Sequence, residues 1–207
     1  IYLGKYYGSL VFDGTTTVSN SGDITLYAPQ RSAGRAIGIK ATREVGDVVV
    51  ANSGAIDIYA GGRSYGIFGF TTYGGVSVTN SGDITMLSHT DAMIGISAST
   101  GNFFFGGGDV SIVNSGNISV HSDYGFANGI GAVAGSVGTP YGNSYIQNSG
   151  DLDVFGQYNA AGIQTRATKG NATIINSGDV NVESAAVSFI YEPDQTVGIA
   201  ALTFFGG

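Results

Sequence analysis

The sequence predicts an all-β fold, namely a three-sided parallel β-helix of about six rungs with 28–34 residues in each rung. Three observations carry this prediction: Asn-Ser-Gly occurs six times, aliphatic residues stand at fixed offsets around it, and every repeat has a later Gly-Ile pair. Repeats of this length are typical of solenoids, because one unit buries its apolar face only by stacking on its neighbours.

The first strand of each repeat is predicted to end at the asparagine of Asn-Ser-Gly. Those asparagines are Asn20, Asn52, Asn80, Asn114, Asn148 and Asn176, at spacings of 32, 28, 34, 34 and 28 residues. An aliphatic residue lies two positions before each of them: Val18, Val50, Val78, Ile112, Ile146 and Ile174. These side chains are expected to share one buried face with the asparagines.

The second strand is predicted to begin just after Asn-Ser-Gly. Aliphatic residues recur four and six positions after each asparagine, as in Ile24 and Leu26, and mostly polar or small residues lie between them. Alternation with a period of two indicates a strand with one buried face.

The third strand is predicted around the Gly-Ile pair. The six pairs begin at Gly38, Gly66, Gly95, Gly129, Gly162 and Gly198. Chain length varies only between the landmarks, so insertions are expected as loops on a constant frame.

The repeated tripeptide itself is interpreted as corner chemistry rather than as a ligand site. The asparagines are in phase with the buried aliphatic residues, so their amides are expected to form a hydrogen-bonded ladder along the stack. The glycines two positions later are expected to adopt positive φ at the bend. They are Gly22, Gly54, Gly82, Gly116, Gly150 and Gly178.

Composition excludes several classes of function. The net charge is −7 and the sequence has no cluster of Lys or Arg, so neither nucleic acid nor an anionic membrane surface is an expected partner. No apolar run approaches the roughly 20 residues of a membrane helix, so no membrane insertion of this segment is expected. With no cysteine, the core must hold the fold without disulfides.

Candidate metal and catalytic residues are weakly supported. Asp23, Asp83, Asp151 and Asp179 follow the turn glycines and are interpreted as a solvated acidic edge interrupted by Ala55 and Asn117, with calcium binding as the alternative. His89 and His121 are interpreted as loop histidines, although stacking could bring them near each other or near Asp91 and Asp123. No carboxylate pair is singled out by spacing, so no enzymatic activity and no cofactor are expected.

Aromatic residues are the remaining candidates for function. The 12 Tyr and 11 Phe lie largely in predicted loops, where they suit sugar stacking or protein contact. The candidate partner contacts are Phe103, Phe104, Phe105, Phe204 and Phe205.

From Val18 to Ile199, the aliphatic alternation, Asn-Ser-Gly-Asp-Ile and the later Gly-Ile resemble the passenger repeats of bacterial autotransporters and related large adhesins. This resemblance implies a right-handed β-helix, export and display at the bacterial cell surface, commonly for adhesion.

Residues 1–207 are therefore expected to form a single β-solenoid segment, uncapped at both ends, with a structural or adhesive role in an extracellular surface protein. The alternatives are a filament or sheath subunit that stacks head to tail, and a β-helix that binds or degrades polysaccharide. The expected partners are copies of itself or flanking repeats end to end, glycans, and host or cell-surface proteins.

Overall fold

The computed structural model describes residues 14–29, 34–89, 91–101, 107–135, 142–185 and 196–204. These residues form an all-β solenoid of three parallel six-stranded sheets, which confirms the predicted fold class. The insertions expected before two of the Asn-Ser-Gly tripeptides include residues 102–106 and 136–141, which lie outside the described residues. No helix in the described part is long and apolar enough to cross a membrane.

Each rung contributes one strand to each sheet. The first sheet contains β1 (Thr15–Asn20), β4 (Asp47–Asn52), β7 (Val76–Asn80), β10 (Val110–Asn114), β13 (Ser144–Asn148) and β16 (Ala172–Asn176). The second sheet contains β2 (Ile24–Ala28), β5 (Ile56–Ala60), β8 (Ile84–Ser88), β11 (Ile118–Ser122), β14 (Leu152–Gly156) and β17 (Val180–Ser184). The third sheet contains β3 (Ile37–Val45), β6 (Ser64–Tyr73), β9 (Met93–Thr100), β12 (Phe126–Ala134), β15 (Asn159–Thr168) and β18 (Thr196–Phe204).

The register aligns equivalent residues of successive repeats, so the core is made of aliphatic columns. In the first sheet, Val50 pairs with Val18 on one side and with Val78 on the other. In the third sheet, Ile67 pairs with Ile39 and Ile96. Inward positions alternate with outward ones along each strand, and a slip of one residue would turn every buried side chain outward.

The glycine of the Gly-Ile pair packs inside the solenoid. A Cβ placed on Gly66 would lie 2.5 Å from the carbonyl oxygen of Gly95 and 2.8 Å from Cγ2 of Ile84. Neither distance leaves room for a methyl group. The close approach of adjacent rungs therefore explains why this position is glycine.

Candidate functional site

The six asparagines form a continuous row of amides inside one corner. In the first five of them, Nδ2 donates to Oδ1 of the next asparagine along the stack, over distances of 2.7–2.8 Å. The same Nδ2 also donates to the carbonyl oxygen two residues ahead, as Asn80 does to Gly82 at 2.8 Å. The amides of Asn52, Asn80, Asn114 and Asn148 are almost completely buried, at 1–3% exposure. Every member therefore satisfies polar groups that would be costly to bury unpaired.

The predicted reason for the turn glycines is wrong. The glycines with positive φ in the described residues are Gly46, Gly74, Gly101, Gly107 and Gly135, and none of them belongs to Asn-Ser-Gly. The tripeptide glycines are instead required by contact between rungs. A Cβ on Gly54, Gly82, Gly116, Gly150 or Gly178 would lie 2.0–2.1 Å from the carbonyl oxygen of the equivalent glycine one rung earlier.

The supposed acidic edge is a hydrogen-bonded column. Oδ1 of Asp23 accepts the main-chain amide of Ala55 at 2.9 Å, and Oδ1 of Asp83 accepts that of Asn117 at 2.8 Å. The column continues through Asn117 to Asp151 and through Asp151 to Asp179. Ala55 has no side-chain acceptor for the next amide, so it interrupts the column.

A second column of this kind precedes the first sheet, and the sequence reasoning missed it. Asp47 accepts the amide of Gly75, and Asp109 accepts that of Asn143, both at 2.7 Å. Oδ1 of Asn143 in turn accepts the amide of Asn171 at 3.0 Å. Asp and Asn can both occupy this column because each offers an acceptor oxygen to the amide of the next rung, and Asn143 also donates from Nδ2 to Oδ1 of Asp109 at 3.2 Å.

Asp123 lies between the two histidines. Its Oδ2 contacts Nδ1 of His89, and its Oδ1 lies 2.8 Å from Nε2 of His121. An ionised carboxylate only accepts hydrogen bonds, so the facing nitrogen of each ring carries the proton. The hydrogen bond from His89 is the main reason that the pKa of Asp123 falls below its ordinary value of 3.8. The hydrogen bond from His121 and the electrostatic attraction to both rings also lower this pKa, whereas partial burial of the carboxylate raises it.

The interpretation as a loop histidine is wrong for His121, which lies within β11, whereas His89 follows the end of β8 as expected. Both rings share the carboxylate of Asp123, one of the two aspartates that stacking was expected to bring near them. A signal for this arrangement was present in the sequence. His89 and Asp123 each follow the asparagine of their own repeat by nine residues, so stacking places them on neighbouring rungs.

Aromatic rings flank this His-Asp-His group on the outer face of the second sheet. Tyr27 stacks on Tyr59 with ring centroids 5.1 Å apart, and Tyr59 meets the edge of His89 at 5.4 Å. His121 stacks on Phe155 at 4.5 Å. Contacts of this kind contribute about 0.5–1.5 kcal/mol each beyond the area that they bury.

The predicted phenylalanine contacts are only partly described. Phe103, Phe104, Phe105 and Phe205 lie outside the described residues. Phe204 ends β18 with 43% of its surface exposed, and the guanidinium of Arg166 lies 4.8 Å from the centre of its ring. Its proposed partner contact stays a prediction.

The described carboxylates and histidines are not arranged as a metal centre. No group of three or more His, Cys, Asp or Glu among them could hold a metal ion. Asp23, Asp83 and Asp151 each engage one oxygen with a main-chain amide, which gives the acidic edge a structural role.

The fold defines the chain as a β-solenoid with internal amide ladders. No protein-family model, curated protein or solved structure matches it significantly.

Proposed function

We propose that this chain is a non-enzymatic structural and adhesive β-solenoid segment of an extracellular bacterial surface protein. One observation supports the structural role above all: the residues that recur in all six repeats hold neighbouring rungs together. The asparagines bond to one another, and the glycines of both landmarks allow the main chains to approach. Repeats of this kind form elongated solenoids, since each rung is stabilised by contacts with its immediate neighbours alone.

The adhesive role is supported by what varies between repeats. At the outward position seven residues after each asparagine, the side chains are Tyr27, Tyr59, Leu87, His121, Phe155 and Glu183. The solenoid thus has a constant interior and a variable, partly aromatic exterior. Exposed tyrosine offers contact area at a low cost in conformational entropy.

Antibodies raised against the purified chain test the surface location. Immunogold should label intact cells of the source bacterium as strongly as permeabilised cells. A strain without the coding region should also attach less to abiotic and host surfaces in a flow cell. Labelling that requires permeabilisation would contradict the surface role, and unchanged attachment would contradict the adhesive role.

A further inference from the structure

An open groove runs along the corner that follows the second sheet. It has a volume of about 760 Å³ and is lined by residues that include Pro29, Tyr59, His89, Asp123 and Tyr124. Pro29, His89 and Asp123 occupy the same position on rungs one, three and four. With rungs about 4.8 Å apart, the groove extends about 14 Å along the solenoid axis. A short oligosaccharide has this length, whereas a single sugar ring is much shorter.

The polar groups of the groove suit a ligand rich in hydroxyl groups. Each oxygen of Asp123 accepts one imidazole and retains a further lone pair. Each imidazole uses one ring nitrogen on Asp123 and has a second one. The side chains of His89 and His121 are 52% and 45% exposed, so a ligand can reach them. Two neighbouring hydroxyl groups of a sugar can therefore bind at the same time, one donating a hydrogen bond to the carboxylate and the other bonding to the second nitrogen of an imidazole.

The apolar surface of the groove is aromatic. Tyr124 is 64% exposed, and Tyr59 is held by the stacked ring of Tyr27 and by the edge of His89. The C–H face of a pyranose ring can pack against such a ring, which supplies rigid contact area.

Other ligand classes fit less well. An anion would meet the carboxylate of Asp123, and none of the described residues that line the groove is Lys or Arg. A peptide could not add a strand here, because the adjacent β5 and β8 already have a hydrogen-bonded strand on both sides. The described residues hold no metal-binding group.

We propose that this groove is a binding site for an uncharged oligosaccharide, with Asp123 and His89 bonding to hydroxyl groups and Tyr124 packing on a sugar ring. His121 adjoins the groove through its bond to Asp123. The proposal rests on the adhesive role above and names its ligand class.

Titration of the whole chain with maltohexaose, cellohexaose and hexa-N-acetylchitohexaose, all uncharged, tests the proposal by calorimetry and by NMR shifts of the two histidine rings. At least one of these glycans should bind and shift both rings. Tyr124→Ala should lower that affinity about tenfold, because a central aromatic contact typically contributes this much. Tyr73→Ala is the matched control, because Tyr73 is an exposed tyrosine at the end of β6 that does not line the groove.

Asp123→Asn keeps the shape of the side chain and should weaken binding several-fold, with circular dichroism used to verify the fold. The groove assignment would be overturned by binding of none of the three glycans, by wild-type affinity in Tyr124→Ala, or by tighter binding of an acidic probe such as hexagalacturonate. Surface labelling of intact cells is independent of these titrations, so failure of the groove leaves the surface role testable by itself.

Discussion

Replacing the glycine of Asn-Ser-Gly with alanine should destabilise the protein at Gly82 and stabilise it at Gly22. In Gly82→Ala, the new Cβ would lie 2.0 Å from the carbonyl oxygen of Gly54, so one rung must shift. The shift strains the bond from the Ser81 amide to Asn52 and the bond from Asn80 to Gly82. Overpacking of about 1–3 kcal/mol and two hydrogen bonds of about 1 kcal/mol each give a loss of about 3–5 kcal/mol.

Gly22→Ala is the matched control, because no described atom lies within 4 Å of a Cβ there. It should stabilise the protein by about 0.5 kcal/mol, since alanine restricts the unfolded chain. Urea unfolding followed by tyrosine fluorescence measures both, as the chain has 12 Tyr and no Trp. Equal destabilisation by the two substitutions would refute the argument from rung contact, because it would indicate that the tripeptide needs glycine for its own conformation.

Five further substitutions, at four positions, test the ladders and the His-Asp-His group. Ala55→Asn should stabilise the chain by about 0.5–1 kcal/mol in urea unfolding, because the new side-chain oxygen can accept the main-chain amide of Asp83. Ala55→Asp should stabilise it less at low salt, because it adds a like charge beside Asp83. No gain in stability from either substitution would count against the acceptor column. Asn80→Ala should lower the free energy of unfolding by about 3 kcal/mol, and Asn20→Ala should lower it clearly less. The reason is that the amide side chain of the buried Asn80 makes three hydrogen bonds, whereas that of the part-exposed Asn20 makes two. Equal losses would mean that burial of the ladder is unimportant. Asp123→Asn should cost about 0.5 kcal/mol at neutral pH, and the difference in melting temperature should narrow as pH falls below 3.8 towards the lowered pKa of Asp123. A difference that stays constant as the pH falls would exclude the carboxylate as its source.

The fold could be predicted because six copies of one repeat can be compared within a single chain. Six equivalents of Val18 and Ile24 expose the buried face, and the position of Asn52 two residues after Val50 places its amide inside. Sequence phase says on which side of a strand a residue lies. Sequence phase does not show how closely the next rung approaches. The sequence therefore suggests positive φ as the reason for glycine at Gly82, whereas the reason is contact with Gly54 of the preceding rung.

The contacts between rungs could be predicted less well, because they depend on pairs of residues about one repeat apart. Asp23 and Asp83 lie on the exposed edge that the sequence predicts, but their hydrogen bonds could not be predicted, since the amides that they accept belong to the following rung. The approach of both histidines to Asp123 has a basis in the spacing. His89 and Asp123 each follow the asparagine of their repeat by nine residues, and His121 precedes Asp123 by two, which places both side chains on one face of an extended segment. The spacing does not indicate that one carboxylate bonds to both rings.

The amide row also gives the stack a polarity. Every bond of the row runs from Nδ2 of one asparagine to Oδ1 of the asparagine on the later rung. The first asparagine, Asn20, therefore enters the row only as a donor, and the last, Asn176, only as an acceptor. A two-fold symmetric contact between like ends would set acceptor against acceptor or donor against donor. Any neighbour that continues the row must therefore point the same way along the axis, which is the geometry of an open, head-to-tail arrangement.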